Sequence, residues 1–231
     1  MLNGEGRVAM VSGASRGIGR AVVERLLQAG FAVSAGLRDP RALPEAANLF
    51  VHAYEAEDLA SAEAWVAATV ARFGRLDALV NAAGINPKAR IADADETALD
   101  RLWRVNVKGP MRLIRLAWPH LVASGEGRVV NIASLSGKRV RNENVGYAMS
   151  KFALVALTHA TRREGWEHGI RASAVCPGFV QTDMTSYVTK WPRERMTRPE
   201  DIAVLVETLI RLPNNASVAE LLVNCQPEDM L

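Results

Sequence analysis

The sequence predicts an α/β protein with a doubly wound parallel sheet of about seven strands and helices on both faces. Short apolar or β-branched runs alternate with longer stretches of helical period, which is the pattern of successive βαβ units. Several of the short runs are apolar throughout, as strands are when helices cover both sides of a sheet. No linker or shift in composition divides the 231 residues, so we expect residues 1–231 to form a single domain.

The elements follow one another in a regular order. The short apolar runs predict strands at 7–12, 31–36, 48–54, 78–81, 128–133, 171–176 and 220–224. Apolar residues at helical spacing predict helices at 17–29, 61–73, 96–122, 146–167 and 199–212. In the first helix Ile18, Val22 and Leu26 share one face, and Gly30 suits the position that ends it. Pro199, followed by two acidic residues, suits the first turn of the last helix.

Composition and charge narrow the class of protein. The net charge is only +3 and the basic residues form no long run, so nucleic acid is not an expected partner. Cys176 and Cys225 are too few for a disulfide framework and lack metal-ligand spacing, so we expect reduced thiols and no metal site. No apolar run approaches the ~20 residues of a membrane span, and no secretion-signal pattern opens the chain. We therefore expect a cytoplasmic protein with no membrane partner.

A glycine-rich turn joins the first predicted strand to the first predicted helix. Each glycine removes a Cβ where the chain must turn tightly, approach a pyrophosphate, or pack a helix on a strand. The free amides at the helix N-terminus attract phosphate groups. We therefore predict a dinucleotide site at this turn. Its expected contacts are Gly13, Ser15, Arg16, Gly17, Ile18 and Gly19.

The end of the second strand indicates which dinucleotide is bound. In dinucleotide-binding folds an acidic residue at this point binds the ribose 2′-hydroxyl, but here the strand ends in a leucine and Arg38. Arg38 and Arg16 could hold a 2′-phosphate by charge-assisted hydrogen bonds, which favours NADP(H). The alternative is that Arg38 is solvated and Asp39 takes the ribose. Asp58 is either an adenine contact or a charge at a helix N-terminus.

Two more strand ends carry small residues that allow a flat ligand to approach the backbone. They follow the fourth and sixth strands, at the sheet edge where ligands of doubly wound folds bind. The expected cofactor contacts there are Asn81, Ala82, Gly84, Pro177, Gly178, Val180 and Thr182. Residues 182–198 lack a clear period, and we interpret them as a substrate flap; a plain surface loop is the alternative.

A second group of residues points to proton transfer. Tyr147 and Lys151 lie four residues apart on a predicted helix, so their side chains share a face. A free tyrosine has a pKa near ~10, and a neighbouring cation lowers it towards the range useful in acid–base catalysis. Ser134, with Ser136 as its rival, could hold a substrate oxygen at the phenol. Asn106 could anchor a water that relays protons to Lys151, or it could be a core amide that satisfies backbone groups.

Taken in order along the chain, these motifs resemble the short-chain dehydrogenase/reductase family. The resemblance runs from residue 7 to about residue 182 and weakens thereafter. It rests on the glycine turn, the Asn81 turn, Asn106, Ser134, the Tyr147/Lys151 pair and Pro177-Gly178. Ser12 stands where the family has threonine, Ala82 stands where it has a second asparagine, and the C-terminal tail departs from the usual pattern.

The resemblance implies a Rossmann-type sheet and hydride transfer between a nicotinamide and a carbonyl or alcohol carbon. It implies that Tyr147 is the acid/base, that Lys151 lowers its pKa and binds ribose, and that Ser134 polarises the carbonyl. It further implies that Asn106 completes a proton relay. The paired arginines are similar to those of NADP-preferring members. A homodimer or homotetramer through helices about 96–122 and 146–167 is also implied.

Two questions about function stay open at this point. A catalytically idle fold that binds NADP(H) as a sensor or interaction module is the alternative to an enzyme. The substrate is undetermined, and its pocket is expected between residues 138–144 and 182–198. Four basic side chains in these segments indicate an anionic substrate, unless they are ordinary solvated charges: Arg139, Arg141, Lys190 and Arg193.

Overall fold

The computed structural model describes residues 1–44 and 46–227 and contains one seven-stranded parallel sheet. The strands are β1 (Val8–Ser12), β2 (Ala32–Leu37), β3 (Leu49–Ala53), β4 (Ala78–Asn81), β5 (Arg128–Ile132), β6 (Arg171–Pro177) and β7 (Glu220–Val223). Their spatial order is β3-β2-β1-β4-β5-β6-β7, and every pair is parallel. The order reverses between β1 and β4, where the carboxyl ends of a doubly wound sheet open a ligand crevice. The predicted fold class is confirmed.

Helices cover both faces of this sheet. They are α1 (Gly17–Gln28), α2 (Leu59–Phe73), α3 (Thr97–Trp103), α4 (Gly109–Ser124), α5 (Val145–Gly165) and α6 (Pro199–Arg211). Helices α1 and α6 share one apolar core with β1 and β2, whereas α2 and α4 form the core of the opposite face. Strands β1 and β5 are buried along their whole length, and the two polar side chains of β5, Arg128 and Asn131, are hydrogen-bonded there. No described helix is long and apolar enough to cross a membrane.

The predicted helix 96–122 is interrupted in the structure, and this corrects the sequence-based expectation. A π-helical turn, Arg104–Lys108, separates α3 from α4, and Gly109 N–H bonds the carbonyl of Arg104 five residues earlier. The cause lies in Pro110, which has no amide hydrogen for the carbonyl of Asn106. Because single π turns inside helices are common at functional sites, the position of Asn106 in this turn is informative.

One tight contact fixes β2 against α2. The ring of Trp65 lies over Gly36, where an added Cβ would be 2.5 Å from the ring. Its indole N–H donates to Ser34 Oγ at 2.9 Å, so the buried polar atom is satisfied. Truncation of such a buried ring typically costs 3–5 kcal/mol. Gly36 is therefore required by packing, and it holds the end of β2 beside the glycine turn.

Candidate active site

A cleft of about 1160 Å³ opens at the carboxyl ends of the strands. The glycine turn, the ends of β2, β4, β5 and β6, and parts of residues 182–193 form its walls. Every residue that the sequence predicted as a catalytic or cofactor contact lines it except Asn81 and Asn106, and the two alternatives Asp39 and Asp58 do not line it. Asn81 is buried and donates to Asn131 Oδ1 at 2.8 Å, so its side chain lies within the sheet.

The glycine turn is packed so closely that side chains would not fit. A Cβ on Gly13, whose φ is +69°, would lie 2.7 Å from the amide nitrogen of Ala83. A Cβ on Gly19 would lie 2.3 Å from the carbonyl oxygen of Gly13. Ser12 Oγ accepts hydrogen bonds from the amides of Ala82 (3.1 Å) and Ala83 (3.2 Å). The serine in place of threonine therefore holds the ends of β1 and β4 together.

At the end of β2 the cleft is lined by Arg38 and not by Asp39. Arg38 is exposed and lines the cleft. The Asp39 carboxylate instead receives two hydrogen bonds from the Arg41 guanidinium, both at 2.9 Å, and one from the Arg41 amide at 3.1 Å. These hydrogen bonds lower the pKa of Asp39. The Asp39 carboxylate, which was the alternative ribose contact, is therefore bound to Arg41.

Asp58 has a structural task at the start of α2. Its carboxylate accepts the amide of Ala60 at 2.9 Å and so caps the helix. The cleft is lined nearby by Tyr54, Glu55 and Ala56 instead. Of the two interpretations of Asp58, the helix-terminal charge fits this geometry.

Tyr147 and Lys151 lie on one face of the first turns of α5, with Lys151 Nζ 5.7 Å from the centre of the tyrosine ring. The ammonium donates to the carbonyl of Ile132 at 2.8 Å, which anchors it to the end of β5. Burial lowers the pKa of Lys151 to about 8. The lysine is therefore held at the carboxyl end of β5.

The pKa of Tyr147 differs from the sequence-based expectation. Burial raises it to about 12, and a hydrogen bond with Ser134 only partly opposes this effect. The opposing effect comes from Ser134 and not from Lys151, whose expected lowering of this pKa stays a prediction. With this pKa the phenol keeps its proton at neutral pH.

Ser134, and not Ser136, is the serine at the phenol. Ser134 Oγ accepts the backbone amide of Ser136 at 3.0 Å and takes part in the hydrogen bond with Tyr147. It begins the short 3-10 turn Leu135–Gly137 that follows β5. Ser136 thus contacts Ser134 through its backbone amide.

Asn106 joins three parts of the site. Its Oδ1 accepts the amide of Ile85 at 2.9 Å, and its Nδ2 donates to the carbonyl of Ile85 and to Ser150 Oγ, both at 3.0 Å. Both amide hydrogens are therefore used, which is the geometry of the core amide that satisfies backbone. The water relay through Asn106 stays a prediction.

Three further residues shape the cleft, and no sequence motif singles them out within the segments predicted to form the pocket. Asn144 accepts the amide of Ala89 at 2.9 Å and donates to Asn86 Oδ1 at 2.8 Å, which fixes the start of α5. Tyr187 Oη accepts a longer hydrogen bond from Asn86 Nδ2 at 3.4 Å. Asp183 forms an ion pair with Arg16. Asp183 directly follows the Thr182 motif, but nothing in the sequence pairs it with the glycine turn.

Comparisons with known proteins agree with this geometry. The family model described as short chain dehydrogenase matches residues 7–193. An agropine synthesis reductase of Rhizobium rhizogenes is 41% identical over 96% of this chain and 53% of its own length. The chain therefore spans about half the length of that relative. A 2-(R)-hydroxypropyl-CoM dehydrogenase of Xanthobacter autotrophicus is 33% identical over 96% of this chain and 92% of its own.

Solved structures show the same fold. A 3-ketoacyl-(acyl-carrier-protein) reductase from Brucella melitensis, complexed with NADH, superimposes with a TM-score of 0.89 at 27% identity, covering 96% of this chain and 98% of that one. An alcohol dehydrogenase from Thermococcus sibiricus, complexed with 5-hydroxy-NADP, gives 0.87 at 28% identity, covering 96% and 99%. With the family model matched over most of its length, this chain belongs to the short-chain dehydrogenase family.

Proposed function

We propose that the chain is an NADP(H)-dependent oxidoreductase that transfers a hydride between the nicotinamide and a carbonyl or secondary alcohol carbon. The observation that carries the proposal is the convergence of Ser134, Tyr147 and Lys151 on the cleft that the glycine turn opens. Relatives named as reductases and dehydrogenases, and similar structures complexed with NADH and with an NADP analogue, support it.

The residues present fit a dinucleotide with a 2′-phosphate. The cradle at Gly13 and Gly19 leaves no room for a Cβ, as expected where backbone approaches a pyrophosphate. Arg38 lines the cleft and Asp39 is engaged with Arg41, which favours a phosphate over a free ribose hydroxyl. Thr182, whose methyl group would be 3.2 Å from a Cβ on Gly17, would complete the cofactor site from the other wall.

The catalytic side chains suit reduction of a carbonyl. When bound, the reduced cofactor supplies the hydride. Ser134 and Tyr147 hold the substrate oxygen, and Tyr147 Oη donates the proton as negative charge develops there. A phenol with a raised pKa is protonated at neutral pH, so it is ready to act as this acid. Lys151 provides a positive charge that stabilises the resulting phenolate.

Removal of the phenol tests the proposal. Tyr147→Phe should lower kcat by roughly 10²–10⁴ on a panel of ketones and aldehydes, while NADPH still quenches tryptophan fluorescence. Ser134→Ala should also lower kcat, whereas Ser136→Ala should not, because the Ser136 contact to Ser134 uses the backbone amide. Full turnover by Tyr147→Phe would contradict the assignment. Cofactor binding by the unaltered chain without any turnover would favour the idle-module alternative.

We also propose that residues 182–198 act as the substrate flap. A separate proposal is that two chains associate through α4 and α5. Large apolar side chains lie exposed on these helices, with Met111 53%, Met149 46% and Phe152 43% accessible. Burial of such side chains in a partner is the usual reason for a group of this kind. Sedimentation of the unaltered chain and of Met111→Glu/Phe152→Glu tests this: a dimer or tetramer that dissociates supports the interface, and a monomer contradicts it.

A further inference from the structure

Four cationic side chains line the cleft from the two segments that the sequence assigns to the substrate pocket. They come from two segments, one following β5 and one within residues 182–198. The cations that line the cleft are Arg139, Arg141, Lys190 and Arg193. Arg139 is half-buried, and its amide donates to the carbonyl of Leu135 at 3.1 Å, which ties it to the turn that carries Ser134.

Of the three acids in the same two segments, only Asp183 lines the cleft. Glu143 forms an ion pair with Arg90 at 3.3 Å, and neither Glu143 nor its counterpart Glu194 lines the cleft. Asp183 lines it but is paired with Arg16 at 2.9 Å. These two segments therefore contribute four cations and one acid, which is paired with Arg16, to the lining of the cleft.

Arg139 and Arg141 follow a different strand end from Arg38, the proposed contact of the 2′-phosphate. Arg38 follows β2, whereas Arg139 and Arg141 follow β5, and the order β2-β1-β4-β5 places three strand spacings between them. At ~4.8 Å per spacing, the two strand ends are roughly 14 Å apart. The charge after β5 thus faces the substrate half of the cleft.

We infer that the carbonyl substrate carries an anionic group, such as a carboxylate or a phosphate, and this inference rests on the proposed function. The anionic group binds Lys190 and Arg193, together with Arg139 and Arg141. Arg193 donates one hydrogen bond to the carbonyl of Thr182 at 3.3 Å, and its remaining donors suit an oxyanion. Arg139 and Arg141 also interact with other groups of the chain. Their positive charges attract the anionic group of the substrate to this wall of the cleft. A cleft lined by one sign of charge raises the local concentration of the oppositely charged substrate.

Matched pairs of substrates test the inference. With saturating NADPH, 2-oxobutanoate, 3-oxobutanoate and 4-oxopentanoate are each compared with their methyl esters, and dihydroxyacetone phosphate is compared with dihydroxyacetone. For at least one pair, kcat/KM should be tenfold or more higher for the anion. That ratio should fall towards one in 0.5 M NaCl, because salt screens the attraction. The carboxylate and phosphate arms distinguish the two kinds of anion.

A double variant tests whether Lys190 and Arg193 bind the anionic group. Lys190→Gln/Arg193→Gln should lower the anion-to-neutral ratio of kcat/KM about tenfold, mainly through KM. Arg195→Gln is the matched control, because Arg195 lies in the same 3-10 turn, Arg193–Arg195, but does not line the cleft. Calorimetric titration with unreactive pentanoate gives a second readout, and the double variant should bind it about tenfold more weakly.

The two proposals fail separately. Esters reduced as well as their acids, with turnover that still depends on Tyr147, would overturn the anionic substrate and leave the proposed reaction intact. An unchanged ratio in the double variant would equally overturn it. No reduction of any pair by a chain that binds NADPH would contradict the proposed reaction and the inference with it.

Discussion

The guanidinium of Arg16 lies 2.9 Å from the carboxylate of Asp183, so an ion pair joins the glycine turn after β1 to the segment after β6. Both side chains are about 70% exposed. Exposed pairs of this kind contribute 0–1 kcal/mol, so the contact is easily exchanged for another. Because Arg16 is also proposed to hold the 2′-phosphate, Asp183 and the phosphate compete for one guanidinium.

Asp183→Asn should therefore strengthen NADPH binding about two- to fivefold, since it removes a negative charge near the phosphate and frees Arg16. NADH lacks the phosphate and serves as the internal control, with a dissociation constant changed less than twofold. Fluorescence titration at low and high salt measures both constants. An equal change for the two cofactors would show that Asp183 acts on the cleft as a whole.

Arg38→Asp should abolish the preference for NADPH, with a loss of affinity on the order of tenfold to 100-fold. The reason is that the substitution removes a partner of the 2′-phosphate and puts an anion in its place. Asp39→Asn is the matched control, because the Asp39 carboxylate already binds Arg41 and does not line the cleft. A loss of preference in Asp39→Asn, with none in Arg38→Asp, would reverse the assignment of the ribose site.

Gly13→Ala and Gly74→Ala separate backbone strain from close approach. Both glycines have positive φ, +69° and +75°, so each alanine incurs a strain of about 1 kcal/mol. Only at Gly13 would the new Cβ also meet backbone, at 2.7 Å from Ala83 N, whereas nothing lies within 4 Å at Gly74. Gly74→Ala should thus lower the free energy of unfolding slightly and still bind NADPH, and Gly13→Ala should lose binding. Calorimetry measures NADPH binding and thermal unfolding measures stability. Equal NADPH affinity in the two variants would contradict a close approach of the cofactor to the backbone at Gly13.

The sheet could be predicted from the sequence because burial acts on every residue of a strand. β1 and β5 lie entirely in the core. Their apolar runs, at 8–11 and 129–130, are the pattern in the sequence that predicts a buried strand. The π turn escaped prediction because its cause is one missing donor at Pro110, which is compatible with a helix start as well as with a distorted interior.

Within the site, motifs predicted which residues meet but not what each atom does there. The spacing of Tyr147 and Lys151 placed them on one helix face, yet the raised pKa of the phenol depends on burial by segments distant in sequence. The engagement of Asp39 by Arg41 and the bond between Arg16 and Asp183 likewise depend on side-chain direction, which sequence spacing does not determine. Long-range polar contacts are therefore the part that required the structure.

Lys151→Met should raise the free energy of unfolding at neutral pH. Burial lowers the pKa of Lys151 from 10.5 to about 8, so the folded chain is destabilised below pH 8, where both states carry the proton. At 1.36 kcal/mol per pKa unit, this destabilisation is on the order of 3 kcal/mol. Loss of the hydrogen bond to the carbonyl of Ile132 offsets about 1–2 kcal/mol of the gain.

The diagnostic is how this difference changes with pH. Between pH 8 and 10.5 the folded lysine is neutral while the unfolded lysine still binds a proton, so the stability of the unaltered chain rises with pH. Methionine has no such proton, and the advantage of Lys151→Met should shrink by about 2 kcal/mol from pH 7 to pH 9.5. Urea unfolding of both proteins at the two pH values, without cofactor, measures it. A difference that stays constant would mean that the folded lysine keeps its proton throughout, and the charge that stabilises the Tyr147 phenolate would then persist at alkaline pH.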